Sequence, residues 1–265
     1  MLKLGIIGKG FVGSAVANGF DKNCEQFIVD PKHTDNTIED LINQDTKLVF
    51  VCVPTPPNED GSINVDIVKD VLIELSMRDY KGVVVVKSTI IPDYLHEFKK
   101  EFDLKIVYNP EFLTEAKAHE DFINPNMQVL GGKWRDCEVV EKAYLRHSSV
   151  KIVPTFKTDL TTASLLKYTI NSYLATKVMF FNDIHKLHKS GSSMVSWEQF
   201  TDMLTRDPRI GNSHMQVPGP DGEFGFGGHC FPKDTQALLK YAQDENIKLN
   251  MLKKAVEINK KIRER

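Results

Sequence analysis

A chain of 265 residues has room for one large domain or two ordinary ones, and 41% hydrophobic with 26% charged residues is the make-up of a globular protein with a substantial core. The net charge of −2, with basic residues scattered rather than gathered in a stripe, argues against nucleic acid or an anionic membrane as partner. No run approaches the roughly 18 apolar residues that a membrane span needs, and the first residues, "MLKLGIIGKG", lack the length and cleavage site of a signal peptide. The four cysteines, Cys24, Cys52, Cys137 and Cys230, form no C-x-x-C, so neither a zinc site nor a disulfide framework is expected. A cytoplasmic location follows as the expectation.

The first half alternates short apolar runs with helical patterns. "LKLGIIG" reads as a strand and "FVGSAVANGF" as a helix. "QFIVD" and "KLVFVCV" are further strands, followed by the amphipathic helix "VDIVKDVLIELSM". "GVVVVK", "LKIVYNP" and "MQVLGG" continue the series, and "KIVP" closes it near Pro154. Continuous Val/Ile runs separated by helices imply strands covered on both faces, hence a Rossmann-type, doubly wound parallel sheet in an α/β domain over residues 1–156. From residue 157 the pattern is all-helical. A long periodic segment begins after a cap at Thr158 or Asp159 and ends at Gly191, and "VSWEQFTDMLTR" is a second helix. A Gly/Pro-rich loop runs from Asp207 to Pro232, and helices over "KDTQALLKYAQDEN" and "KLNMLKKAVEINKKIRER" follow.

Gly8, Gly10 and Gly13 form G-x-G-x-x-G between the first strand and the first helix, with Phe11 and Val12 inside the motif. The first glycine permits a tight turn, the second lets backbone approach a pyrophosphate, and the third lets helix and strand pack closely. Asp30 ends the second strand, where an acid meets the ribose hydroxyls; a carboxylate there repels a 2′-phosphate and favours NAD over NADP, although Lys32 and His33 lie beside it.

Ligands of open α/β sheets sit beyond the carboxyl ends of the strands. Thr55 follows the third strand, Ser88 and Thr89 the fourth, and Glu111 and Glu115 the fifth. The threonines and Ser88 are candidates for ribose or nicotinamide contacts, with turn capping as the plainer reading. Glu111 and Glu115 share a face if that segment is helical; two acids on a solvated face is the alternative. Lys167 and Asn171, four apart in the long helix, can serve a developing oxyanion or be a surface lysine and an ordinary helix asparagine. In "GFGGHCFPKDTQAL", Cys230 is either a buried thiol or a nucleophile that takes an aldehyde to a thiohemiacetal and then a thioester, with Lys233 and a helix start near Pro232 favouring thiolate. His229 adjoins it, and adjacent residues of an extended loop point apart.

These segments together resemble the UDP-glucose/GDP-mannose dehydrogenase family. The likeness runs in order through "GIIGKGFVG", "VCVPTPPNEDGSINVD", "VVVKSTIIP", "NPEFLTEAKAHEDFINPNMQVLGG", "LLKYTINSYLATKVMFFNDI", "DPRIG" and "GFGGHCFPKDTQAL". The resemblance implies oxidation of the C6 alcohol of a nucleotide sugar, with UDP-glucose the expected substrate, to a carboxylate with two NAD+ per turnover. It implies Cys230 as nucleophile, Glu111 as base for thioester hydrolysis, Lys167 and Asn171 on the oxyanion, and Asp234 placing water. Thr89 and Glu115 would lie between cofactor and substrate, Thr55 on the NAD site and Lys233 toward the cofactor. Phe112, Leu113 and Gly227 would meet the sugar nucleotide, and Arg209 would reach the substrate of a partner subunit in a homodimer built on the long helix. His214 stands near a substrate contact of many members, in a loop longer than in the shortest ones. Members also carry a third domain that holds much of the nucleotide, and the resemblance implies that this chain, which stops at Arg265 about where the linking helix would enter it, lacks that domain. Two other readings compete. A two-domain β-hydroxyacid or phosphogluconate-type dehydrogenase fits the length but needs no cysteine. A non-catalytic NAD-binding subunit has no need of Glu111, Lys167, Asn171, Cys230 and Asp234 together.

Overall fold

Among the described residues seven strands form one sheet in the order β2-β1-β3-β4-β5-β6-β7. The computed structural model describes residues 1–114 and 117–264. The strands are β1 (Leu2–Ile7), β2 (Cys24–Val29), β3 (Leu48–Val51), β4 (Val83–Val86), β5 (Lys105–Tyr108), β6 (Gln128–Gly132) and β7 (Thr155–Thr158). The described residues fall into two compact units: residues 1–56 with 63–167, and residues 57–62 with 168–265.

The sheet lies wholly in the first unit, and β1 to β5 are parallel, as the continuous Val/Ile runs require. β3 and β4 are fully buried along their lengths. Helix α1 (Phe11–Gly19) and helix α6 (Trp134–His147) contribute to a core in which Phe20 meets Phe50 at 5.2 Å and Tyr144 at 4.9 Å between ring centroids. Helices α2 (Ile38–Asn43), α3 (Asp66–Met77), α4 (Pro92–Glu101) and α5 (Ala118–Ile123) occupy the other connections. α2 starts on a capping box, with Thr37 and Asp40 each accepting the other's backbone N–H.

Two features differ from the sequence reading. β6 pairs with β5 antiparallel, Val107 opposite Gly132 and Tyr108 opposite Gly131. A chain that leaves β5 at its carboxyl end and enters β6 from that end needs no return crossover. Residues 109–114, which leave β5, therefore lie at the ligand-facing end of the sheet, while α5 packs against α1 with Phe122 beside Gly19. The closing strand is also not "KIVP", which is irregular and leaves Ile152 79% exposed, but the polar "TFKT" that follows it. An edge strand needs no continuous apolar run, so the apolar content pointed to the wrong tetrapeptide.

Helix α7 (Leu160–Ser190) begins in the first unit and continues into the second. Asp159 caps it: Thr162 donates its backbone N–H at 2.8 Å and its hydroxyl at 2.7 Å to the Asp159 carboxylate, and these bonds hold that carboxyl below the usual range. The second unit is helical among the described residues, with α8 (Trp197–Thr205), α9 (Cys230–Asp244) and α10 (Asn250–Arg263). Its apolar contacts form two clusters, one of Ala175, Met179, Phe226 and Ala255, the other of Phe181, Trp197, Met215 and Val217. α9 starts at Cys230 itself, earlier than the sequence reading placed it.

Candidate active site

The first unit carries a dinucleotide cradle. The strand order puts a topological switch point between β1 and β3, and the glycine turn follows β1 there. Gly8 has φ +87°, and a Cβ on it would stand 2.9 Å from the Cys52 carbonyl oxygen. A Cβ on Gly13 would stand 1.9 Å from the Gly8 carbonyl oxygen, so only glycine lets α1 pack against the turn. A Cβ on Gly10 would meet nothing within 4 Å: the space above that residue is open. No side chain caps α1, and its first turn holds no acid. Backbone N–H groups at an uncapped helix start, beside open space, suit a pyrophosphate. Phe11 and Val12, half-buried, begin the helix beneath it. Asp30 accepts the Lys9 N–H at 2.6 Å and the Lys32 N–H at 2.8 Å. The Lys9 bond foremost holds its carboxyl below the ordinary range, so it is charged where ribose hydroxyls would be recognised. The Lys32 and His33 side chains are exposed. The cradle fits NAD.

The loops after β3, β4 and β5 are tied together. The Thr55 hydroxyl donates to the Thr89 carbonyl at 3.0 Å, and Ser88 to the Val53 carbonyl at 2.6 Å, so both hydroxyls also serve the turn role that the sequence left open. Glu111 is 6% exposed; its Oε1 lies 2.9 Å from Lys167 Nζ and its Oε2 accepts the Leu113 N–H at 2.6 Å. Lys167, itself 2% exposed, stands 5.5 Å from the centre of the Phe112 ring. The surface-lysine and solvated-acid readings of Lys167 and Glu111 therefore fall, because two charges leave water only when paired. Residues 111–114 are not helical, and Glu115 lies outside the described residues.

Sequence reasoning missed Lys87. This buried lysine donates to the Asn109 side-chain oxygen at 2.9 Å and to its backbone carbonyl at 3.2 Å. The Tyr144 hydroxyl reaches the same side-chain oxygen at 2.7 Å, and Asn109 donates onward to Val129 at 2.9 Å. Burial pushes the Lys87 ammonium down to about 8. The available signal was a lysine and an amide immediately after neighbouring strand ends.

The second unit carries candidate residues of its own. Asn171, one turn beyond Lys167 in α7, donates to Asp234 Oδ2 at 2.6 Å, and Lys233 pairs with Asp234 Oδ1 at 2.6 Å. Asp234 is 1% exposed, with both oxygens engaged. Cys230 is the first residue of α9, half-buried, and His229 is the N-cap with helical dihedrals (φ −83°, ψ −28°) rather than part of an extended loop. The other three cysteines are held neutral by burial, which pushes Cys52 up to about 12 and Cys24 and Cys137 up to about 11. Arg209 is exposed and pairs with Asp207, Nε to Oδ1 at 2.9 Å. His214 has φ +62° and lies 5.5 Å from the Phe231 ring; burial, with the Lys177 charge, keeps its imidazole below the ordinary range. Gly227 packs against Arg263.

Residues 30–147 match the profile of the NAD binding domain of the UDP-glucose/GDP-mannose dehydrogenase family, and residues 161–261 match that of its central domain. A UDP-glucose 6-dehydrogenase of Rickettsia felis is 35% identical over 227 residues, which are 82% of this chain and 48% of that protein. Among solved structures, a UDP-glucose dehydrogenase from Pyrobaculum islandicum superposes with a TM-score of 0.80 at 26% identity, covering 98% of this chain and 68% of that one. A 3-hydroxyisobutyrate dehydrogenase of Mycobacterium tuberculosis, at 14% identity and TM-score 0.74, shares the fold over 98% of this chain and 93% of its own. The chain spans about half the length of the curated relatives it matches. Among the described residues no helix is long and apolar enough to cross a membrane, and no cluster of His, Cys, Asp and Glu suits a metal ion. With a glycine cradle built for NAD in its first unit and a helical second unit matching the partner domain, the chain belongs to the UDP-glucose/GDP-mannose dehydrogenase family.

Proposed function

We propose that the chain oxidises the C6 alcohol of a nucleotide sugar, UDP-glucose foremost, to the uronate in two hydride transfers, with Cys230 as the covalent nucleophile. One observation carries this reading: Lys167 and Asn171, one turn apart in α7, are both buried and each holds a buried carboxylate, Glu111 and Asp234. Buried ion pairs contribute little net stability, so a constellation of this kind suits chemistry better than architecture.

NAD+, when bound, accepts the hydride from carbon in each oxidation. In the first, the alcohol loses a hydride and a proton and becomes an aldehyde. The Cys230 sulfur then adds to the aldehyde carbon, and the resulting oxyanion is met by the Lys167 ammonium and the Asn171 amide. A second hydride leaves, giving a thioester. Water, its proton taken by Glu111, attacks the thioester carbonyl; the C–S bond breaks, the carboxylate leaves and the thiol is restored. Asp234 keeps the Asn171 amide aimed, and Lys233 neutralises Asp234. Thr89 between cofactor and substrate, Thr55 and Lys233 on the cofactor side, and Phe112, Leu113, His214 and Gly227 on the sugar nucleotide complete the assignment.

The same reading includes a homodimer. Tyr173, Phe180 and Leu187, 60%, 59% and 68% exposed, recur every seven residues along α7 and make an apolar stripe that suits a second copy of the helix. Arg209, exposed, would then serve the substrate of the partner. Phe180→Asp is expected to convert a dimer into a monomer in sedimentation velocity; a monomeric parent chain would overturn the dimer.

The direct test of function is stoichiometry. Purified chain with UDP-glucose and excess NAD+ is expected to release two NADH per uronate. One NADH per substrate would instead indicate the single-oxidation chemistry of a hydroxyacid-type dehydrogenase.

A further inference from the structure

The "GFGG" run before Cys230 is shaped by α10. Asn259, 7% exposed, makes two bonds to one residue of the loop: Phe226 donates its N–H to Asn259 Oδ1 at 2.7 Å, and Asn259 Nδ2 donates to the Phe226 carbonyl at 2.9 Å. This is the pairing a neighbouring strand would offer, supplied by one side chain. One turn later on α10, Arg263 donates to Asp221 Oδ2 at 2.7 Å and to the Gly225 carbonyl at 3.2 Å. From α7, Asn182 Oδ1 accepts the Gly225 N–H at 2.9 Å.

The glycines are what this grip requires. A Cβ on Gly225, whose φ is +75°, would stand 2.2 Å from Asn259 Oδ1. One on Gly227 would stand 2.8 Å from Arg263 Nη1 and 3.0 Å from Asp221 Oδ2. Phe226, 4% exposed, packs with Ala175, Met179 and Ala255, so its side chain is anchored as its backbone is held. The loop enters α9 directly at Cys230, four residues after Phe226.

We infer that Asn259, supported by Arg263, is a positioning residue for the Cys230 thiol, fixing the backbone of 225–228 so that α9 starts where the sulfur must react. The inference rests on the reading of Cys230 as nucleophile, but the clamp is measurable without turnover. Amide exchange needs no substrate, and neither does alkylation of Cys230 by iodoacetamide followed by peptide mass spectrometry.

In Asn259→Ala, exchange of the 225–230 segment is expected to rise about tenfold or more, with β1 and α1 unchanged. The half-buried Cys230 is expected to be alkylated about threefold faster or more, because a loosened loop exposes it. Asn259→Asp keeps an acceptor for the Phe226 N–H, loses the donor, and is expected to fall between. Arg263→Gln leaves Asn259 in place and shifts both readouts the same way by less, which keeps the test open should Asn259→Ala not fold. With substrate, kcat is expected to fall about 10- to 100-fold while the KM for NAD+ stays within about twofold, the pattern of a displaced reacting group and an intact cofactor site. Parent-like exchange and alkylation in both Asn259→Ala and Arg263→Gln would overturn the clamp, and an unchanged kcat in a chain that needs Cys230 for uronate formation would overturn its positioning role. Undiminished uronate formation by Cys230→Ser would overturn the nucleophile reading instead, leaving the exchange result to stand for the clamp alone.

Discussion

Cys230→Ser is expected to lose uronate formation by at least about a thousandfold while NAD binding is retained. A serine hydroxyl at the same helix start is a far poorer nucleophile at neutral pH, and in the proposed mechanism the second oxidation passes through a thioester. NAD binding survives because the cradle of Gly8, Gly10, Gly13 and Asp30 belongs to the sheet unit, whereas Cys230 belongs to the helical one. Uronate appearance by chromatography, alongside NAD affinity by fluorescence titration, separates the two properties. The remaining cysteines offer no substitute, since burial holds Cys24, Cys52 and Cys137 as neutral thiols. Full uronate production by the serine variant would refute the covalent mechanism.

Lys167→Met is expected to abolish turnover and also to destabilise the sheet unit by about 3–5 kcal/mol, because it strands the Glu111 carboxylate in a buried site. Adding Glu111→Gln removes that stranded charge, so the double variant is expected to regain most of the lost stability and none of the activity. Urea denaturation of the parent, both single variants and the double variant gives the coupling energy of the pair. A Lys167→Met chain as stable as the parent would mean that the pair is not held as the structure places it. The contrast between recovered stability and unrecovered turnover is what distinguishes a catalytic pair from a structural one.

Much of the fold was legible because its signals are local. The runs "LGII", "VVVV" and "KIVY" are strands since only strands buried on both faces need such continuous apolar sequence, and the glycine turn marks the switch point through steric demands a single residue type meets. The cap of α7 was readable as Thr158 or Asp159 for the same reason, a short acceptor side chain before a periodic run satisfying a helix start by itself, and the structure gives it to Asp159. The direction of β6 was not, because Val129 and Leu130 are buried either way and an apolar strand carries no sign of its polarity. The early start of α9 escaped because Pro232 looked like its beginning, yet a proline is equally at home within the first turn, where its missing N–H has no partner to lose.

By itself the sequence determined the chemical inventory: a dinucleotide turn with its acid, a lysine and an asparagine one helical turn apart, a carboxylate after the fifth strand, and a cysteine in a glycine loop. Spacing along one chain carries that information because strands and helices have fixed periods. Only the tertiary structure decided which of these groups are out of water and with whom. Glu111 and Lys167 are 56 residues apart, and Asn171 and Asp234 are 63 apart. Their pairing is a property of packing, and packing is also what turns Asn259 and Arg263, unremarkable on a basic helix, into the grip on the loop that carries Cys230.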